Sequence, residues 1–560
     1  MTSPSLFPTQ LQRIGVWLQQ PTWRWTVAVW TVTLLVALPV LVVLGSVFAD
    51  TRDIWQHLAT TVLQQYVTNS LILMVGVGLG VCLIGVSTAW LVTLCRFPGS
   101  RWFEWALLLP LAAPAYLLAY TYTDWLDYFG PMQMGLRSLF GWEQMTDYWF
   151  PNVRSMGGAI AMFSFTLYPY VYMLARVAFL EQSSRTLDAS RSLGRGPWGC
   201  FYAVALPLAR PAIMAGLALA LMETLNDFGT VQYFGVGTFT TGIYRTWFGM
   251  GERVAAAQLS AILMIFIFTL LVLERWSRQQ ARYYQSQNSQ RTVSAYELGR
   301  SHACVAWLIC FIPILIGLLL PATLLLWMTV AHWDKTLDES FFELSRNSLL
   351  LAGITAAIAL LIALVLAYGA RLNRSQLIQA GVRLASMGYG VPGAVIAVGI
   401  LIPVVRLDQA IAALIQSIRG TSPGLLLSGT MVALVFAYLV RFLAVALGAV
   451  EAGLGKIRPS LDDAARSLGC TPTTTLMRVH MPLIGGSLLT AIMLVFVDVM
   501  KELPATIVMR PFNFDTLAVR VYQYASDERL VEASAPALMI LVVGLIPVIV
   551  LSRQIARSRH

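Results

Sequence analysis

The chain has 560 residues, of which 57% are hydrophobic and 12% charged, and its mean hydropathy is +0.69. That balance excludes a soluble globular protein, and no basic folded domain is present to bind nucleic acid. The net charge of +10 comes almost wholly from arginine in short loops, the distribution that the positive-inside rule produces.

Apolar runs long enough to cross a bilayer recur along the whole length. Six are expected at about 25–49, 66–95, 103–125, 156–180, 208–230 and 256–275, and six more at 303–330, 347–370, 378–405, 424–450, 483–508 and 532–552. Helix is the only state such runs can adopt in lipid. The first run is too long for a signal peptide and lacks a small-residue cleavage pattern, so it reads as the first span. With the N-terminus inside, cytoplasmic segments hold 20 Lys and Arg against 12 in external segments of similar total length. The bias favours cytoplasmic N- and C-termini in a bacterial inner membrane. External loops at about 126–155 and 406–423 are too small to form a receptor of their own. The six cysteines form no CxxC and the five histidines show no metal-ligand spacing, so no tightly bound metal is expected.

The two halves repeat. Asn69-Ser70-Leu71 recurs as Asn347-Ser348-Leu349 and Pro114 as Pro392, an offset of 278; further on, Thr241 pairs with Thr516 and Arg245 with Arg520 at 275. An even number of spans per half makes these parallel repeats, related by an axis along the membrane normal. Residues 1–275 form the first six-span unit and 303–560 the second, with 276–302 a polar Gln/Ser/Arg-rich cytoplasmic linker.

One polar block also recurs. Asp188-Ala189-Ser190-Arg191-Ser192-Leu193-Gly194 precedes Leu206-Pro207, and Asp463-Ala464-Ala465-Arg466-Ser467-Leu468-Gly469 precedes Met481-Pro482; the Pro follows the Gly by thirteen positions in both. Asp favours a helix start, Gly ends the helix in a turn that other residues make with difficulty, and Pro opens the next one. The outcome is a short helix across the base of the membrane, presented twice to a dimeric or two-headed partner.

These segments resemble the EAA loops of ATP-binding-cassette importer permeases, with Asp188 and Asp463 where that family has Glu. The resemblance covers nearly the whole chain and implies an all-α polytopic fold of about twelve transmembrane helices, arranged as two tandem permease repeats of the type I importer kind. It further implies that each loop docks on one of two ATPase subunits, which hold ATP and magnesium. A narrower stretch, Lys501-Glu502-Leu503-Pro504-Ala505-Thr506 with Arg510-Pro511-Phe512-Asn513-Phe514-Asp515 and Tyr524-Ala525-Ser526-Asp527-Glu528-Arg529-Leu530, is similar to fused ferric-iron permeases. Thiamine and phosphonate importers are close relatives of that group.

Inside the membrane, Glu223 and Asp227 in the fifth span match Asp498 and Glu502 in the eleventh at the 275 offset. Their i,i+4 spacing puts each pair on one helix face, and the repeat axis directs all four acids towards the centre. A charge deep in a span costs about 2.5–3.5 kcal/mol on insertion scales, so such acids face protein or water. Carboxylates, with phenols such as Tyr168 and Tyr438, suit a hard trivalent cation. Alternatively the acids accept hydrogen bonds from broken helices or pair with Lys501.

No G-x-x-x-x-G-K-[ST] phosphate loop occurs, so energy must come from a partner, and no catalytic residue or cofactor is expected in this chain. The reading is a permease moving ferric iron from a periplasmic binding protein to the cytoplasm, with thiamine or phosphonate as rival substrates. An ion-coupled secondary transporter is the rival of a different class.

Overall fold

The computed structural model describes residues 23–182, 190, 192–281, 296–373, 375–419 and 426–557. Its main helices in the first half are α1 (Trp23–Gly45), α2 (Leu63–Leu94), α3 (Ser100–Ala106), α4 (Ala115–Leu126), α5 (Pro131–Phe140), α6 (Met156–Glu181), α7 (Leu206–Asn226), α8 (Gly229–Tyr233) and α9 (Arg253–Ala281). The second half continues with α10 (Arg300–Ile314), α11 (Leu320–Ala331), α12 (Glu339–Leu372), α13 (Gln376–Ala385), α14 (Gly393–Arg419), α15 (Met431–Gly455), α16 (Pro459–Ser467), α17 (Gly485–Met500), α18 (Pro504–Met509) and α19 (Leu530–Arg557). Among the described residues ten helices are long and apolar enough to cross a membrane, and two bent pairs raise the total to as many as twelve. The type I permease architecture follows, with corrections at five spans.

The breaks have local chemical causes. The third span is not one helix over 103–125: α3 and a 3₁₀ turn at Leu109–Ala112 meet α4 at 87°. Pro114 forces the bend, since it is extended at φ −62°, ψ 144° and restricts Ala113 before it. The ninth span is split into α13 and α14 by the 3₁₀ stretch Ser386–Gly390 and Pro392. The expected external loop from 406 is instead helix as far as Arg419. The fifth and eleventh spans stop at Asn226 and Met500, and each is followed by a short separate helix, α8 or α18. The eleventh is also bent by 82° from the helical segment before it, at the Gly485-Gly486 pair. The tenth begins at Met431, later than the expected 424.

Repeat equivalents occupy equivalent places. In the first half α2, α6 and α7 pack on one another, as α12, α15 and α17 do in the second. The first helices of the two halves are exchanged. Helix α1 packs on α12, α13 and α14, where buried Thr33 Oγ1 donates to the Gly381 carbonyl at 3.2 Å. Reciprocally, α10 and α11 pack on α2, α4 and the 3₁₀ turn before it, and Tyr122 OH donates to the Ile316 carbonyl at 2.7 Å. Large apolar side chains such as Leu79, Leu83 and Leu361 remain exposed on the outer faces, as lipid-facing positions require.

The linker is narrower than 276–302. Helix α9 runs to Ala281, and Tyr296–Glu297 pairs as a short parallel strand with Cys95–Arg96; residues 282–295 lie outside the described residues. Because each half holds the other's first helix, severing the chain should leave the halves together. With a protease site inserted within 282–295, cleaved protein is expected to elute from size exclusion in mild detergent as one particle, and to split only in denaturing gels.

Candidate functional site: a carboxylate-lined cavity between the halves

Breaking a helix inside a membrane frees backbone N–H groups that lipid cannot satisfy. At the end of α7, Asp227 takes an extended backbone conformation, and its carboxylate accepts from Thr230 N at 2.8 Å, Thr230 Oγ1 at 3.1 Å and Val231 N at 3.4 Å. At the matching break after α17, Glu502 accepts from Ala505 N at 2.7 Å. Both acids therefore cap the short helices α8 and α18, where the helix dipole also favours negative charge. The i,i+4 face shared by Glu223 with Asp227 and by Asp498 with Glu502 does not exist, because each helix ends between the two members.

The four acids nevertheless converge. Glu223, Asp227, Asp498 and Glu502 all line one cavity of about 100 Å³, room for a few waters or a partly hydrated ion. Two cations share it. Arg441 of α15 bonds Glu502 Oε2 through Nη1 at 2.7 Å with both side chains buried, and Lys501 Nζ lies 2.9 Å from Asp498 Oδ1. The Glu223 side chain, half-buried on α7, makes no hydrogen bond or ion pair among the described residues. Four carboxyl groups thus share the cavity with two cations.

The phenols on the cavity wall are Tyr116, Tyr170 and Tyr389. Tyr168 and Tyr438, the expected phenols, point elsewhere. The Tyr168 hydroxyl is buried without a partner among the described residues, and Tyr438 OH is 2.6 Å from Thr506 Oγ1. Among the described residues no group of three or more His, Cys, Asp or Glu side chains could hold a metal ion.

The cavity lies on the seam between repeats. Asn226 Oδ1 accepts from Gly393 N at 2.8 Å, Tyr116 OH donates to the Lys501 carbonyl at 3.4 Å, and Tyr244 OH donates to the Pro504 carbonyl. A Cβ at Gly393 would stand 2.6 Å from both Arg441 Nη1 and Glu502 Oε1, so any larger residue there would displace the buried ion pair. Arg441 was visible in the sequence only as a lone arginine within a span, and its repeat counterpart at the 275 offset is Thr166, so no symmetry argument could have assigned its partner.

The second polar block forms helix α16, and Gly469 follows it with φ +77°. Gly469 N donates to the Arg466 carbonyl and Cys470 N to that of Ala465, which together make a Schellman C-cap. In the first block Gly194 has φ +80° and Arg195 N donates to the Ser190 carbonyl, the same motif; Asp188 and Ala189 lie outside the described residues. Asp463 is exposed and pairs with Arg466 at 2.7 Å, and Ala464 is exposed beside it. Leu193 and Leu468, one position before each glycine, are 81% and 83% exposed. A five-residue π stretch precedes the Leu206 and Met481 helices at matching positions, and Pro207 and Pro482 each stand in the first turn that follows.

Fold and site together show a helical membrane protein made of two repeats around an acidic cavity. Residues 81–276 match the family described as the inner membrane component of binding-protein-dependent transport systems. The chain is 26% identical over 494 residues to the Fe(3+)-transport system permease protein FbpB 2 of Haemophilus influenzae, covering 87% of this chain and 90% of that protein. It is 22% identical to the ferric transport system permease protein FbpB of Actinobacillus pleuropneumoniae, covering 83% of this chain and 67% of that one. The molybdenum transport system permease protein ModB of Escherichia coli is 28% identical but matches 35% of this chain. By these likenesses the chain is a multi-pass inner-membrane protein similar to ATP-binding-cassette importer permeases, and it resembles the fused ferric-iron permeases over most of its length.

Removing one member of a buried ion pair strands the other in a low-dielectric site. Arg441→Ala is therefore expected to destabilise the protein by about 3–5 kcal/mol, and Arg441→Met combined with Glu502→Gln, which keeps an acceptor for Ala505 N, to recover much of the loss. Thermal unfolding of the purified protein in detergent checks both.

Proposed function

We propose that this chain is the membrane passage for ferric iron, delivered by a periplasmic binding protein and released to the cytoplasm. The observation that carries the reading is the convergence of four carboxylates on one small cavity at the seam of the repeats. Carboxylate and phenol oxygens are the ligands a hard trivalent cation prefers. Two of the acids are fixed as helix caps and Asp498 is held by Lys501, so the cavity offers a passing ion weak relays rather than a cage. Relatives named as ferric permeases over most of this chain's length support the same reading. The ModB likeness raises an oxyanion as a second reading, yet Arg441 and Lys501 are both already engaged by carboxylates.

In this account ATP and magnesium are held by two copies of a separate ATPase subunit, one under each polar block, with both termini of the chain on the same cytoplasmic side. The exposed Leu193 and Leu468 side chains fit as apolar knobs for grooves in those subunits. Leu468→Asp is expected to weaken co-purification of the ATPase by about tenfold or more, with Leu193→Asp acting likewise. Unchanged affinity in titrations of the purified subunits would reject this docking surface.

Uptake of radiolabelled ferric iron by iron-starved cells with and without the chain tests the substrate, with labelled thiamine and molybdate in parallel. Loss of iron uptake alone is expected. Glu223→Gln should lower it roughly tenfold, the effect of losing a charged contact of about 1.5 kcal/mol, with the protein still present in the membrane. Iron uptake that survives deletion of the chain would overturn the assignment.

A further inference from the structure

The second polar block is tied to the membrane helices by a set of contacts that the first cannot copy. At the C-terminal end of α12, Arg371 donates to Asp462 Oδ2 from Nε at 3.0 Å and from Nη2 at 2.6 Å. The same guanidinium donates to the Leu454 carbonyl at 2.7 Å and the Ile457 carbonyl at 3.1 Å, at the end of α15 and just beyond it. The other carboxylate oxygen, Asp462 Oδ1, lies 2.9 Å from His480 Nε2 in the π stretch after the block. One turn back on α12, Tyr368 OH donates to the Pro472 carbonyl at 2.9 Å. The imidazole is fully buried, and the Arg371 and Asp462 side chains are only 15% and 23% exposed. Charge-assisted bonds so placed are shorter and stronger than neutral ones, and water screens them less than it screens surface pairs.

The repeat offsets give the counterparts. Positions matching Arg371, Asp462 and His480 are Thr93, Leu187 and Ala205, and Trp90 stands where Tyr368 is. None of the first three can carry charge, so this triad cannot form at the matching places in the first half.

We propose that Arg371, Asp462 and His480 form a latch that makes the two coupling blocks mechanically unequal, movement of the second being transmitted directly to the eighth span through α12. Helix α12 runs from the latch through the second half's core to Ser348, whose Oγ accepts from Leu517 N at 2.8 Å. A push on α16 therefore reaches residues beyond α18 through one rigid helix. The three side chains are positioning residues. They act through α12 and need not touch substrate.

The proposal rests on the reading that ATP is hydrolysed by partner subunits. Its test uses the assembled complex with spin labels on Phe129→Cys and Phe512→Cys, exposed positions placed by the alternation of spans on the face away from the blocks. The wild-type complex should show a change in label distance when ATP is bound or trapped. Asp462→Asn should retain ATP hydrolysis and lose the distance change, whereas Asp462→Glu, which keeps a carboxylate for Arg371, should retain both. Thr93→Ala should leave both unchanged. An Asp462→Asn complex that shows the wild-type distance change at the wild-type hydrolysis rate overturns the latch. If that variant fails to assemble, His480→Gln, which keeps the arginine bridge, is read by the same criteria. A wild-type complex without any ATP-dependent change would overturn the ATP-driven reading itself, latch included.

Discussion

A bilayer offers no hydrogen-bond partner, so a helix that breaks inside it must find one within the protein. This chain breaks two spans at equivalent places, after Asn226 and after Met500, and satisfies the freed N–H groups of α8 and α18 with the carboxylates of Asp227 and Glu502. Those charges then need company, because an isolated ion in such a medium costs several kcal/mol. Arg441 supplies it for Glu502, and the hydroxyl and amide donors of Thr230 supply it for Asp227. Glu223 and Asp498 add charge beyond what capping demands, and the result is an acidic cavity on the seam between repeats.

The seam is held by exchange as well as by contact. Each half's first helix lies in the other's bundle, so the halves can rock without separating, while hydrogen bonds across the cavity at Asn226, Tyr116 and Tyr244 mark the contacts that rocking must break. Those bonds are few and local, which suits an interface that opens and closes. The ends that carry the polar blocks differ more than the membrane parts do. Both polar blocks close with the same Schellman turn, but only the second is followed by a bend at a glycine pair and gripped by Arg371.

Span number, repeat offset and the polar blocks were legible in the sequence because each rests on a one-dimensional signal: apolar run length, spacing between identical residues, and Gly at a left-handed turn. Convergence of the four acids was legible too, through the 275 offset. Their helical phasing was not. The i,i+4 argument assumes an unbroken helix, whereas Pro504 one residue beyond Leu503 and Gly229 two beyond Asp227 end it. Pro114 and Pro392 were read as repeat markers when they also mark bends. Tyr168 is a phenol in the right span, yet two positions on a helix turn a side chain by more than half a circle, and Tyr170 faces the cavity instead. The Arg441–Glu502 pair and the Arg371–Asp462 bridge of the latch join residues 61 and 91 positions apart, without repeat counterparts to reveal them.

The central claim is that the acidic cavity is the passage itself. Glu223→Cys, a substitution at the position left without a polar partner among the described residues, tests it through its rate of modification by a membrane-impermeant cationic thiol reagent. Measurements from each side of the membrane, in the resting and the ATP-trapped complex, give the comparison. The account predicts modification from one side in one state and from the other side in the other, slowed when ferric iron is supplied with its carrier. A Glu223→Cys variant whose new thiol stays unreactive from both sides in both states would contradict it.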